Sequence, residues 1–559
     1  MTDSIDIARK APMKHMRQFM ALLGLAEDDF EFYGKYTGKI RLKVLEKFRD
    51  RPNGKLILVT AMTPTPAGEG KTLTSIGLGQ GLQKIGKNAM ITLREPSLGP
   101  VFGIKGGATG GGYSQVLPME RINLHFNGDI HAVGTAHNLL AAMLDNHIFK
   151  SNELEIDITQ PLWNRAMDMN DRALRQIVIG LGGRVNGIPR ESGFLITAAS
   201  EIMAILALAD SREDLKERLG DIVVGYNRAG RVVRARDIGA HKAMALVLNE
   251  AIMPNLVQTM EHVPTLMHAG PFANIAHGTS SILANKIALK LADFVVTEAG
   301  FGADLGAEKF FDIVCPVSGI WPSAVVLVAT GKAIKYHGGV SPDPEELASE
   351  NPEAFEKGLA NLEAHIMNMK KFEVPVVVAV NRFNTDTDRE IEMITGLCDR
   401  MEIPCALSEA FSKGGEGVTK LAEKTVELIE QQPDPSRKTL YRREQPVEEK
   451  IAAVATRIYG AEDFYFEKRA RKNLDRFVEL GYGNLPVCIA KTQSSLSDNP
   501  KVQGVPGNFT LTVTDVQLSA GAGFLVIICG NMMLMPGLPQ VPAAVHMNVE
   551  DDGTITGLF

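Results

Sequence analysis

Cysteine is scarce in this chain. Its five residues among 559 (Cys315, Cys398, Cys405, Cys488 and Cys529) are scattered and form no Cys-x-x-Cys pair. That spacing speaks against a disulfide framework and against a cysteine zinc site. Aromatic residues make up only 6% of the chain, so a ring beside a loop stands out against the background. No apolar run reaches the roughly 18 residues that a membrane span needs, and Asp3 and Asp6 stand where a leader would be basic and then apolar. Charge of one sign is missing as well, since 59 Lys plus Arg face 66 Asp plus Glu for a net charge of -7. The chain therefore has no basic footprint for nucleic acid or an anionic membrane, and local cations must hold any anionic ligand. There is no repeat and no low-complexity tract. What remains is a reduced, cytoplasmic protein, 45% hydrophobic, long enough for three or four units at about 150 residues each.

The most informative stretch runs from Lys55 to Pro96. Lys55-Leu-Ile-Leu-Val-Thr-Ala61 reads as a buried parallel strand. It leads into Thr65, Pro66, Ala67, Gly68, Glu69, Gly70, Lys71 and Thr72. In such a phosphate loop the glycines turn backbone amides toward an anion, Lys71 reaches the terminal phosphates and the Thr72 hydroxyl is a magnesium ligand. The match is partial, because Thr65 stands where the pattern usually begins with Gly. Leu78, Leu82 and Ile85 share one face of the predicted helix that follows. Its three glycines each cost about 1 kcal/mol relative to Ala, so packing must hold it. A second strand, Ala89 to Leu93, ends in Arg94-Glu95-Pro96, and parallel pairing sends Arg94 out on the phosphate-loop edge.

Further along, Gly103 to Tyr113 holds six glycines in eleven residues, with Lys105 near one end, and is expected to cover a ligand. His125, His131 and His137 recur every six residues, which does not converge on one face of a helix or strand. His262, His268 and His277 are expected to satisfy polar contacts around Ala269-Gly-Pro271. A strand ending near Thr297 is followed by Glu298 and Asp304, candidates either for orienting a metal or for ordinary loop acids. Three more strands, at Ala324 to Ala329, Pro375 to Val380 and Pro404 to Ser408, run into loops carrying Asn381, Phe383 and Phe411. Flat heteroaromatic ligands stack on such rings.

The whole chain resembles formate–tetrahydrofolate ligase. The likeness rests on Thr65 to Thr72, Arg94 to Pro100, Gly103 to Tyr113, Val328 to Gly339, Ala490-Lys-Thr-Gln493, Ser519 to Phe524 and Met535 to Pro539. It implies ATP- and magnesium-dependent joining of formate to tetrahydrofolate through formyl phosphate, in a homotetramer activated by a monovalent cation such as potassium or ammonium. It also implies Lys71 and Arg94 as catalytic residues, with Arg94, Glu95, Lys105, Phe383, Leu407 and Phe411 lining the substrates. Three positions depart from the family pattern: Thr109 replaces Ala, Gly331-Lys332 replaces Val-Arg, and Phe411 replaces a stacking Trp. The competing readings are another ATP-dependent carboxylate ligase and a P-loop ATPase acting on a protein partner.

The expected fold is α/β, with a P-loop NTPase-like, mostly parallel sheet domain over residues 1–304 that carries a helical N-terminal preface. Two smaller domains are expected after it: a second α/β domain over 305–430 contributing the folate site, and an α+β domain over 431–559.

Overall fold

The strand expected at Lys55 forms as Lys55–Ala61, and its neighbours in space come from far along the chain. The computed structural model describes residues 3–66, 68–103 and 107–558. Its main sheet is mixed but mostly parallel, with ten strands along one path: β1 (Phe30–Phe32), β2 (Gly38–Ile40), β3 (Lys55–Ala61), β4 (Ala89–Leu93), β5 (Asn255–Thr259), β6 (Pro264–Met267), β7 (Phe294–Glu298), β8 (Ala324–Ala329), β9 (Val376–Asn381) and β10 (Cys405–Ser408). Their spatial order is β1-β2-β5-β6-β4-β7-β3-β8-β9-β10. From β6 to β10 every pair is parallel, and β1, β2 and β5 make an antiparallel edge.

Strand residues alternate between the two faces, so a strand covered on both sides must be apolar throughout. In β3, Leu56 and Leu58 join one core while Ile57, Val59 and Ala61 join another. β8 sorts in the same way, Val325 and Leu327 against Val326 and Val328. The helix Lys71–Lys84 follows β3 and buries Leu78 and Leu82 in the second core. Its glycines permit contacts that a larger residue would block, since a Cβ on Gly77 would lie 2.6 Å from that of Ala410.

The structure differs from expectation in the N-terminal preface. The N-terminal preface is only partly helical: Met16–Leu23 is a helix, but β1 and β2 extend the sheet edge. Three-residue strands are too short to show a period in sequence. The border expected at residue 304 falls between β7 and β8, which flank β3 on either side in one sheet. Parallel strands gain neighbours by crossover rather than by chain order, so residues before and after that border share one core.

Beyond residue 431 the chain forms a four-stranded sheet of its own, β11 (Asp463–Phe466), β12 (Val487–Ala490), β13 (Thr510–Ser519) and β14 (Phe524–Cys529), in the order β11-β13-β14-β12. Where it meets the main body, Glu201 lines a cavity of about 780 Å³ and accepts hydrogen bonds from the Gly521 and Ala522 amides at 2.7 and 3.3 Å. Burial pushes its carboxyl from 4.5 up to about 7. The folded state therefore holds a proton that the unfolded state has released, and this costs stability as pH rises from 4.5 to 7. Glu201→Gln removes that cost and keeps an acceptor for both amides. The variant is expected to gain about 2 kcal/mol near neutral pH, after allowing for the cavity's solvent, and nothing below about pH 4. Thermal midpoints across that range check this; a gain of equal size at both ends would refute it.

Candidate active site

The phosphate loop is fixed from both sides. Just before it, Thr63 is held by three side chains. The Asn361 amide oxygen accepts from its N–H at 3.3 Å, His337 Nε2 lies 3.0 Å from its carbonyl oxygen, and His365 Nε2 lies 2.8 Å from its hydroxyl. Within the loop, Glu69 turns inward and is buried. It accepts from the Thr65 N–H at 2.6 Å and from the Thr330 hydroxyl at the end of β8. Asn381, at the end of β9, donates to the Glu69 carbonyl at 3.1 Å. Gly68 and Gly70 adopt left-handed backbone, with φ of 85° and 73°, and Gly70 caps the helix Lys71–Lys84. The loop thus ends on the N-terminus of a 14-residue helix, whose unpaired amides and dipole favour an anion. Ala67 and Lys105 lie outside the described residues.

Arg94 and Thr72 meet on one carboxylate. β7 lies between β3 and β4 in the sheet, so Glu298 at its end stands between the two loops. Its Oε2 accepts from the Thr72 hydroxyl at 2.7 Å, and its Oε1 faces Arg94 Nε and Nη2, each at 3.4 Å. Arg94 Nη1 donates to the Pro271 carbonyl at 3.2 Å. Glu298 is 3% exposed and Arg94 22%. A charge-assisted contact is normally about 2.7–2.9 Å, so the guanidinium is aimed by Glu298 but loosely held, and it retains donors for another anion. The floor beneath it is Gly300, where a Cβ would lie 2.9 Å from Arg94 Nη1. Thr72 and Glu298 together offer only oxygen donors, which suits magnesium, an ion commonly held by one or two carboxylates along with substrate phosphates and water.

Glu95 sits next to Arg94 in the chain but turns the other way. It accepts from Asn255 Nδ2 at 2.8 Å, in a buried network where Lys39 pairs with Asp129 at 2.7 Å. Burial, and then the negative charge of Asp129, push its carboxyl well above the usual range. Glu298, not Glu95, is the acid that touches Arg94.

The aromatic candidates leave neighbouring strands on the same edge. Asn381 of β9 pairs with Ser408 of β10, and Leu407 with Val380, so Phe383 and Phe411 emerge two and three residues past that register. Phe411 is 43% exposed and its carbonyl accepts from the Tyr113 N–H at 2.9 Å, which ties it to the glycine-rich segment. That approach requires Gly112, because a Cβ there would lie 2.1 Å from the Phe411 oxygen. The departures from the family pattern have local partners. Lys332 Nζ stands 4.2 Å from the Phe383 ring centre, and the Thr109 hydroxyl accepts from Asn123 at 3.0 Å. The histidines at 125, 131 and 137 are not brought together as a ligand set; His137 stacks on Trp163 with centroids 4.3 Å apart. His268 contacts the Ser281 hydroxyl and the Ala251 carbonyl, both at 2.6 Å.

Thr330, Asn361, His337 and His365 were not singled out in the sequence. Thr330 and His337 lie within Val328 to Gly339, one of the stretches that carry the likeness, while Asn361 and His365 lie on the buried side of the helix Pro352–Lys370, where a polar residue gives no signal of its partner.

Comparison with known proteins shows the family. The family model for formate–tetrahydrofolate ligase matches residues 2–559. A formate–tetrahydrofolate ligase of Fervidobacterium nodosum (strain ATCC 35602 / DSM 5306 / Rt17-B1) is 56% identical over 559 residues, covering all of both chains. The chain belongs to the formate–tetrahydrofolate ligase family.

Proposed function

We propose that this ATP-dependent ligase joins formate to tetrahydrofolate through formyl phosphate, made and held between Lys71 and Arg94. The observation that carries the reading is the shared carboxylate of Glu298, which couples the Thr72 hydroxyl to the Arg94 guanidinium. Formate is a poor acyl donor until one oxygen becomes a leaving group. In the first step a formate oxygen bonds to the γ-phosphorus and the bond to the ADP oxygen breaks. Lys71 and the helix amides stabilise charge on the phosphoryl oxygens. Where magnesium is bound, Thr72 and Glu298 would hold it, directly or through water, and it would neutralise further phosphate charge. Arg94 then binds the mixed anhydride through two donors. In the second step the N10 amine bonds to the formyl carbon, inorganic phosphate leaves with its electron pair, and the N10 proton passes to solvent or phosphate. Arg94 stabilises the oxyanion on the way.

Phe383, Leu407 and Phe411 are the folate contacts in this reading, which also places the enzyme in the cytoplasm as a homotetramer activated by potassium or ammonium. Omitting formate, ATP and tetrahydrofolate in turn from an ADP-release assay tests it. ADP formation that needs formate supports the ligase. Hydrolysis indifferent to formate and stimulated by a protein would favour a switch ATPase instead.

Phe411→Trp supplies a wider ring and an N–H donor. The KM for tetrahydrofolate is expected to fall about threefold. An unchanged or higher KM would remove Phe411 from the folate contacts.

A further inference from the structure

Resting on that reading, we propose that Lys491 is a positioning residue: from the C-terminal sheet it fixes the turn on which Arg94 lies, and so sets the affinity for formate. Ala490-Lys-Thr-Gln493 follows directly from β12. The Lys491 side chain is fully buried, and its ammonium has three oxygen partners: Asp304 Oδ2 at 2.8 Å, the Ser495 carbonyl at 2.6 Å and the Thr492 carbonyl at 3.2 Å. Three partners use all the donors an ammonium has.

Asp304 belongs to the short helical segment Ala303–Ala307 that follows β7, and residues 300–306 are tightly packed. A Cβ on Gly302 would lie 2.4 Å from Asp304 Oδ1, one on Gly306 would lie 2.2 Å from the Gly300 carbonyl oxygen, and one on Gly300 would meet the Arg94 guanidinium. Lys491 is thus joined to the Arg94 side through Asp304 and the closely packed Gly300, Gly302 and Gly306. The same C-terminal segment also reaches the other flank of the site. The Gly504 carbonyl accepts from Asn361 Nδ2 at 2.9 Å, and its N–H donates to His337 Nδ1 at 3.1 Å. Asn361 and His337 both bind Thr63 ahead of the phosphate loop. The segment 490–504 therefore clamps both loops between which the two anions meet. A buried ion pair adds little net stability, because desolvation offsets attraction, so its worth lies in geometry.

Three variants test this, read by thermal midpoint and by KM for formate and for tetrahydrofolate in the formate-dependent assay. Lys491→Met is expected to raise the formate KM about tenfold and leave the tetrahydrofolate KM within about twofold, and to lower the midpoint because Asp304 is left unpaired. Asp304→Asn/Lys491→Met removes both charges of this pair. It should recover most of the lost midpoint, because the pair's own unpaired charge is gone while the neighbouring Glu308, Lys309 and Asp312 are unchanged, and the formate KM should stay high. A double variant with wild-type formate KM, or one in which both KM values rise together, overturns the proposal. If Lys491→Met does not fold, Asp304→Asn alone carries the test, and an unchanged formate KM refutes the idea. Wild-type turnover that ignores formate would instead overturn the ligase reading beneath it.

Discussion

Arg94→Ser is expected to lower formate-dependent ADP formation by about a thousandfold while ATP affinity changes by no more than about threefold. The asymmetry follows from where the side chain lies. In the proposed reading ATP phosphates dock on the loop and helix amides, which the substitution does not touch. Formate, in the same reading, has no comparable cradle among the described residues and meets the guanidinium above Gly300. Serine removes the two-donor fork that would align one formate oxygen with phosphorus and later hold the anhydride. Glu298 keeps its bond from Thr72, so the loop should retain its shape. Steady-state turnover with formate saturating, alongside nucleotide binding, separates these effects. Near-normal formate-dependent turnover in Arg94→Ser would end the acyl-phosphate account.

The second large effect falls on Glu298, which is 3% exposed and bridges two groups that would otherwise not communicate. Glu298→Gln preserves shape but cannot accept on both sides, because one oxygen becomes an amide nitrogen. If that nitrogen faces Arg94, two donors oppose each other; if it faces Thr72, the hydroxyl must reverse its role. Either way the guanidinium loses its anionic partner among the described residues, at a cost below the roughly 3 to 5 kcal/mol of a fully buried broken pair because Arg94 is 22% exposed. A fall in kcat of about 10² to 10³ is expected. Raising magnesium should recover only part of it, since the charge that aims Arg94 does not return. A variant restored fully by excess magnesium would reduce Glu298 to a metal ligand alone.

How much of this was visible in the sequence depended on the range of the information. The strand, loop and helix from Lys55 to Lys84 were legible because every cue lies within about thirty residues: an apolar run, glycines before a lysine, then a helical period. The strands at Phe294, Ala324, Val376 and Cys405 were legible for the same reason. Their order was not. Nothing in Phe294 to Glu298 says that it inserts between β3 and β4, so Glu298 could be suspected only as an acid past a strand end, and Glu95 took a share of the role that geometry gives to Glu298. The edge strands at Phe30 and Gly38 were invisible because three residues make no period. Lys491 was visible as part of a motif, but its purpose was not, since Asp304 lies 187 residues away.

The position of β7 has a consequence for the chain as it leaves the ribosome. Residues up to Arg94 are synthesised early and already hold the lysine, the threonine and the guanidinium. Glu298 follows 204 residues after Arg94, when more than half of the 559 residues have been made. Until then β3 and β4 lack the strand that spaces them, and such distant pairings form slowly. A nascent polypeptide stalled before Phe294 lacks both strands that flank β3, and with them the carboxylate that joins Thr72 to Arg94.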